Sequence, residues 1–275
     1  MIDLHSHSTA SDGHLSPTAL VALAASHGVT SLALTDHDTT AGLAEAQQAA
    51  NEHGMQLING VEISTSWERR TLHIVGLGID PDNTALCAGL TGLQQQRHER
   101  ALRIAEKLEK LGLHNAYERA RTSAAGGQVT RTHFARLLVS DALCKDQQQA
   151  FKKYLGNGKP AYVSMQWCSL EECISWIHAA GGLAVLAHPM LYPQTAAWRR
   201  RMVAAFKEAG GEGLEICCGH SNPDHIRTST QDALAHNLLG SVGSDFHSPT
   251  QRWLKLGRLA PLPATLTPVW QTLVD

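Results

Sequence analysis

The stretch Val29-Thr30-Ser31-Leu32-Ala33-Leu34-Thr35 runs without a break into Asp36-His37-Asp38. A short run of apolar and β-branched residues reads as a buried strand, and the polar triplet after it is delivered at the carboxyl end of that strand. The design recurs on both sides. Ile2 to His7 reads as a first strand running into His5-Ser6-His7 and Asp12, Gln56 to Ile63 as a strand carrying Glu62, and Leu72 to Ile79 as a strand carrying His73. Further on, Leu183 to Ala187 leads to His188-Pro189, Gly213 to Cys217 forms another strand, and Gly240 to Ser244 delivers Asp245-Phe246-His247. A barrel whose strands present polar residues at their carboxyl ends builds its active site there.

Helical segments fall between the strands. Ser16-Pro17 opens one by the usual N-cap and first-turn proline, and Gly28 closes it. Gly42 to His53, Ser169 to Ala180, Ala196 to Ala209 and Pro223 to Asn237 complete the alternation, which is that of an α/β fold with a mostly parallel sheet. The rhythm breaks between residues 83 and 158. There Leu90 to Leu111 reads as a long amphipathic helix, Thr132 to Val139 and Asp146 to Leu155 as shorter ones, and Ser123-Ala124-Ala125-Gly126-Gly127 as a loop. The expected organisation is a barrel formed by 1–82 and 159–275, interrupted by an all-helical insertion over 83–158.

Composition narrows the function. No apolar run is long enough to span a membrane, and the N-terminus carries chemistry where a signal peptide would have a basic and then an apolar segment. Six cysteines lack CxxC or framework spacing and are expected to be reduced thiols of a cytoplasmic protein. A net charge of −2 gives no footprint for long nucleic acid, and nothing points to an obligate protein partner. The chain is rich in histidine, with 16 residues. Those at strand ends, together with Asp and Glu, form a ligand set for hydrolytic divalent metals. In an extended segment residues i and i+2 point the same way, so His5 and His7 can share one ion, as can Asp245 and His247. Donors suffice for two or three ions if one carboxylate bridges. By contrast, His27 and His53 precede glycines at helix ends and read as structural.

The motifs Asp3-Leu4-His5-Ser6-His7 with Asp12-Gly13, Thr35-Asp36-His37-Asp38, Ala187-His188-Pro189 and Gly243-Ser244-Asp245-Phe246-His247, with Glu62 and His73 between the second and third, resemble those of the PHP (polymerase and histidinol phosphatase) family of metal-dependent phosphoesterases. The resemblance spans nearly the whole chain. It implies a distorted (β/α)7 barrel and a site for manganese, iron or zinc. It further implies a first metal on His5, His7, Glu62 and Asp245, a second on Glu62, His73 and His188, and a third on Asp12, His37 and His247. An oxygen ligand at Asp12 favours manganese or iron.

A helical insertion of this size resembles the bacterial branch that acts on nucleoside 3′,5′-bisphosphates and, in some relatives, on the 5′ ends of short RNA. Arg131 and Lys159 are the expected phosphate ligands, with His133 and Arg252 as further candidates: a guanidinium grips phosphate by two points, an ammonium by one. Asp36, Asp38, His188 and His247 are candidates for assisting the leaving hydroxyl. The implied reaction removes the 3′-phosphate to give a nucleoside 5′-monophosphate. The alternatives are a 5′→3′ exoribonuclease, a histidinol-phosphate phosphatase, which the insertion disfavours, and a non-catalytic module, which the full ligand set disfavours. No lysine stands at a strand end, which argues against the lysine-bridged amidohydrolases.

Overall fold

The structure, a computed structural model, describes residues 1–192, 195–251 and 254–273. Its centre is a seven-stranded sheet in sequential order, β1 (Ile2–Asp3), β2 (Ser31–Leu34), β3 (Gln56–Trp67), β4 (Arg70–Leu77), β5 (Leu183–Leu186), β6 (Gly213–Cys218) and β7 (Leu239–Gly243). The ends meet: Leu4 N donates to Val242 O at 3.0 Å, and Ser6 bridges Phe246 in parallel. The result is a small, nearly closed barrel wrapped by α1 (Pro17–Ser26), α2 (Leu43–His53), α7 (Leu170–Ala179), α8 (Ala196–Glu208) and α9 (Pro223–Ala235).

The distortion has a definite origin. β3 and β4 form an antiparallel hairpin turning at Glu68-Arg69, and β4 is also antiparallel to β5, whereas the remaining pairs are parallel. β3 continues to Trp67, well past the expected Ile63, so Glu62 lies inside a strand rather than at its end. His73 stands near the beginning of β4, because a reversed strand reaches the barrel mouth with its first residues.

Period-two alternation fills the interior. Leu32 and Leu34 join the cluster under the outer helices, while Ala33 belongs to an inner cluster with Leu4, Ile58, Val75, Leu77, Val185 and Ala187. Trp270 and Val269, from the C-terminal segment, pack against this inner layer. The stripes that hold it continue as Thr35 and His37 on one strand's extension, Gly60 and Glu62 on another, and His73 before Val75 on a third. Each of these three strands thus carries apolar residues low in the barrel and ligand-type residues toward the mouth. Each fully buried aliphatic side chain contributes about 1.5–3 kcal/mol.

Between β4 and β5 lie α3 (Thr84–Glu109), α4 (Ala116–Ser123), α5 (Arg131–Ser140), α6 (Gln147–Ala150) and a π-helical turn, Phe151–Leu155. α4 was not anticipated: its sequence AYERARTS buries only Ala116 and Ala120, too thin an apolar stripe to read. α3 starts earlier than Leu90, at the Asn83 N-cap, whose side chain accepts from Ala85 N and Leu86 N. Its first turns pack on the barrel through Leu86, Leu90 and Leu93. From Ala101 onward it joins a separate apolar cluster with Leu113, Phe134, Leu138, Leu155 and Ala161. One helix therefore belongs to both cores.

Candidate metal centre and active site

Glu62 is the hub of the barrel mouth. Its carboxylate is wholly buried and meets five imidazoles: His37 Nδ1 at 2.7 Å, His73 Nδ1 at 3.0 Å, His188 Nε2 at 3.1 Å, His5 Nε2 at 3.3 Å and His7 Nε2 at 3.4 Å. Asp245 Oδ1 lies 3.5 Å from His5 Nε2 and 3.3 Å from His7 Nε2. Asp12 Oδ1 faces His247 Nε2 at 3.3 Å and His37 Nε2 at 3.8 Å. Three overlapping groups emerge, His5-His7-Asp245, His37-Glu62-His73 and His7-Asp12-His37-His247, each bringing one donor atom per residue within 4.8 Å of the others. His188 joins them through Glu62.

This donor set fits divalent metal. His5 Nε2, His7 Nε2, His73 Nδ1, Glu62 Oε2 and Asp12 Oδ1 are all buried and lack hydrogen-bond partners. Buried polar atoms are normally bonded, and here their lone pairs converge on shared points. Imidazole and carboxylate together suit a divalent metal ion.

The electrostatics fit the same picture. Burial raises the Glu62 and Asp12 carboxyls, but the imidazoles around each outweigh it and hold both well below the ordinary range. Burial lowers His247, yet Asp12 and Asp245 lift it to about 10. His5 is likewise held high by Glu62, Glu215 and Asp245 against its burial. His7 is pushed down to about 3 by burial and by its neighbours His247 and His37.

Three residues at the mouth carry left-handed backbone. His188, Asp245 and Asp38 adopt φ of 32°, 55° and 51°. Such conformations cost about 1–3 kcal/mol each and persist where the surroundings demand a side chain that glycine lacks.

Glu215 is a residue the sequence reading missed. It sits on β6, buried, with Oε1 3.1 Å from His5 Nδ1 and Oε2 accepting from His188 N at 2.6 Å. The signal was a lone acid inside the apolar run Gly213-Leu214-Glu215-Ile216-Cys217-Cys218, read as core strand. Tyr192 was missed too: its hydroxyl accepts from His73 N at 2.9 Å, and its ring lies 5.3 Å from that of His188.

A pocket opens beside the cluster, lined by Asp12, His37, Glu62, His73, His188, Asp245 and His247 on the barrel side and by Arg97, Arg100, Thr130, Arg131, Phe151 and Trp167 opposite. Arg97 reaches back to Asp38 and Ser64. Among the described residues, neither Arg100 nor Arg131 forms an ion pair. Arg100 donates to Val163 O at 3.2 Å and lies over Trp167, and Arg131 lies over Phe151. Burial, then Arg131 and Arg97, pull Arg100 down to about 9.

Asp36, Asp38, His133 and Lys159 do not line this pocket. Asp36 accepts from Ser8 N, Ser8 Oγ and Ser11 Oγ, tying the loop after β1 to the end of β2. Asp38 accepts from Ser64 N at 2.7 Å as well as from Arg97. His133, at the third position of α5, folds back so that Nδ1 accepts from Thr130 N, and burial lowers it to about 4. Lys159 is exposed on the turn after the π-helical segment. Arg252 lies outside the described residues.

A barrel mouth of this kind, with clustered imidazoles and carboxylates facing a cationic pocket, defines a metal-dependent hydrolase of phosphate esters. The chain belongs to the PHP domain family, whose sequence profile matches residues 3–159. It is 48% identical over 98% of its length, and 97% of the relative's, to a 5′-3′ exoribonuclease of Haemophilus influenzae. It is 45% identical to a 3′,5′-nucleoside bisphosphate phosphatase of Chromobacterium violaceum, covering 99% of this chain and 96% of that one. Among solved structures, an amidohydrolase from Chromobacterium violaceum with bound sulfate and no metal superposes with a TM-score of 0.94 at 45% identity, covering 99% and 95% of the two chains.

Proposed function

We propose that this chain removes the 3′-phosphate of nucleoside 3′,5′-bisphosphates, leaving the nucleoside 5′-monophosphate. The observation that carries the reading is the pair Arg100 and Arg131, two partly buried guanidiniums without carboxylate partners among the described residues, facing the histidine and carboxylate cluster across one pocket. Buried charge requires a counter-charge. A ligand with one phosphate at the cluster and a second at the arginines supplies it. The bisphosphate phosphatase relative, 45% identical over nearly the full length, supports the same substrate.

His5, His7, Glu62 and Asp245 would hold one ion, Glu62, His73 and His188 a second, and Asp12, His37 and His247 a third, manganese being favoured by the oxygen of Asp12. Bound ions supply a water activated at neutral pH and neutralise charge on the phosphoryl group. The protein's own part is positioning. Arg131 and Arg100 anchor the second phosphate and so orient the scissile ester, whereas Lys159, exposed and outside the pocket, takes no part in it. His188 and His247 line the pocket as ligand-type residues, so the leaving oxygen takes its proton from elsewhere, while Asp36 and Asp38 hold the loops that carry the ligands.

A second reading rests on the 48% identical exoribonuclease. In RNA with a 5′-phosphate, the first internucleotide phosphate occupies the same position as the 3′-phosphate of the bisphosphate, so one pocket can serve both substrates. Chromatographic product analysis, scoring both inorganic phosphate and mononucleotides, of manganese-loaded protein with adenosine 3′,5′-bisphosphate, AMP, 3′-AMP, histidinol phosphate and a short 5′-phosphorylated RNA separates the readings. Preference for the bisphosphate supports the phosphatase. Mononucleotides released from RNA with higher kcat/KM replace it with the exonuclease.

A further inference from the structure

Asp12 divides its carboxylate between two parts of the molecule. Oδ1 faces His247 and His37 and has no hydrogen-bond partner, whereas Oδ2 accepts from Thr132 Oγ1 at 2.9 Å and Thr130 Oγ1 at 3.2 Å. Both threonines belong to the start of α5, more than a hundred positions along the chain. Arg136, one turn further, donates to the Asp12 carbonyl at 2.7 Å. The helical insertion thus fixes a ligand-type carboxylate of the barrel from outside the barrel.

The residue between the two threonines is Arg131, whose guanidinium lines the pocket and lies over the Phe151 ring. The three residues form one rigid unit. Thr130 is the N-cap, its hydroxyl accepting from Thr132 N at 3.2 Å, and the His133 ring closes the capping box. An anion that draws Arg131 to a fixed place therefore also fixes Thr130 and Thr132, and with them Asp12.

We propose that Thr130-Arg131-Thr132 couples the arginine pocket to Asp12, so that the non-scissile phosphate of the substrate and the metal ion at Asp12, His37 and His247 bind cooperatively. Thr132 is in this sense a positioning residue: it acts through Asp12. The inference rests on the two-phosphate reading, since it needs an anion at Arg131. Coupling between binding sites is reciprocal and typically changes each affinity about 5- to 150-fold.

The test is a calorimetric titration of Mn²⁺ with and without saturating AMP, which carries a single phosphate at the 5′ position, and the reverse titration of AMP with and without Mn²⁺. In the unaltered protein AMP should tighten the weakest Mn²⁺ site at least about fivefold, and Mn²⁺ should tighten AMP by the same factor. Thr132→Val should weaken that Mn²⁺ site about 10- to 100-fold and abolish most of the mutual effect, while AMP still binds the metal-free protein. Thr132→Ser, which keeps the hydroxyl, should restore both. Full coupling in Thr132→Val would mean that AMP meets the metal directly, and would overturn the proposal. So would AMP and Mn²⁺ binding independently in the unaltered protein. If Arg131→Met binds AMP as well as the unaltered protein does, the two-phosphate reading itself fails and the coupling falls with it.

Discussion

Glu215, in the middle of β6, holds His5, at the end of the first strand, by a contact of 3.1 Å between Oε1 and Nδ1. The other oxygen takes the backbone N–H of His188 at 2.6 Å. One buried acid therefore orients two ligand-type residues from two other strands, leaving His5 Nε2 turned toward Glu62 and Asp245. Partners of this kind fix the tautomer and raise the basicity of an imidazole ligand.

Glu215→Gln keeps an acceptor for His188 N but loses the charge opposite His5. Manganese affinity should fall about 10- to 100-fold with little change in fold. Titration of Mn²⁺ monitored by the paramagnetic resonance of the free ion, alongside circular dichroism, checks both parts. Unchanged affinity would reduce Glu215 to a packing residue.

Gly243 ends β7 against this pair. A Cβ there would stand 2.2 Å from His5 Cβ and 2.8 Å from Glu215 Oε1. Both neighbours are fixed, so Gly243→Ala must displace His5. The expected result is loss of bound metal, read by elemental analysis of the purified protein, before any large loss of secondary structure.

Arg97 and Asp38 form a buried ion pair between α3 and the loop after β2, and Arg97 adds a bond to Ser64 Oγ at 2.8 Å. Gln94 and Gln128 both donate to the Asp38 carbonyl, so the insertion grips the residue next to His37. Breaking a buried pair from one side leaves a naked charge and costs about 3–5 kcal/mol. Arg97→Met should lower the urea midpoint accordingly, and adding Asp38→Asn should recover part of the loss. Additive losses in that double-mutant cycle would contradict the pairing.

Much of this was written in the sequence. Apolar runs ending in histidine or acid marked five of the strands and most of the ligand-type residues, because a buried strand followed by a polar end has few other uses. Other features were not readable, α4 and the placement of Tyr192 among them. The reversal at Glu68-Arg69 makes β4 antiparallel, and an apolar alternation carries no sign of strand direction. Glu215 and Arg100 are single polar residues inside segments that otherwise read as core strand and solvated helix, and only the closed barrel and the folded insertion reveal what they face. His133 illustrates the opposite error: beside Arg131 it resembled a phosphate ligand, but its helix position turns the ring onto the Thr130 cap.

Metal loading should release protons. In the metal-free cluster, burial lowers His247 and His5, but Asp12 and Asp245 lift the first to about 10 and Glu62, Glu215 and Asp245 hold the second high. Both are therefore protonated at neutral pH, and an incoming ion must displace those protons. The carboxylates, held low by the same histidines, stay charged throughout. Affinity should accordingly strengthen as pH rises from about 6 to 8. Calorimetry in buffers of different ionisation heat should count net proton release. Proton-neutral binding would contradict the charge states assigned to the cluster.

The most direct test of the two-phosphate reading is the identity of the first product from adenosine 3′,5′-bisphosphate, resolved by chromatography during turnover by manganese-loaded protein. With the 5′-phosphate held by Arg100 and Arg131 and the 3′-phosphate at the cluster, AMP should accumulate, and Arg131→Met should raise KM for the bisphosphate far more than for 3′-AMP. Accumulation of 3′-AMP, or equal effects of Arg131→Met on both substrates, would contradict that placement.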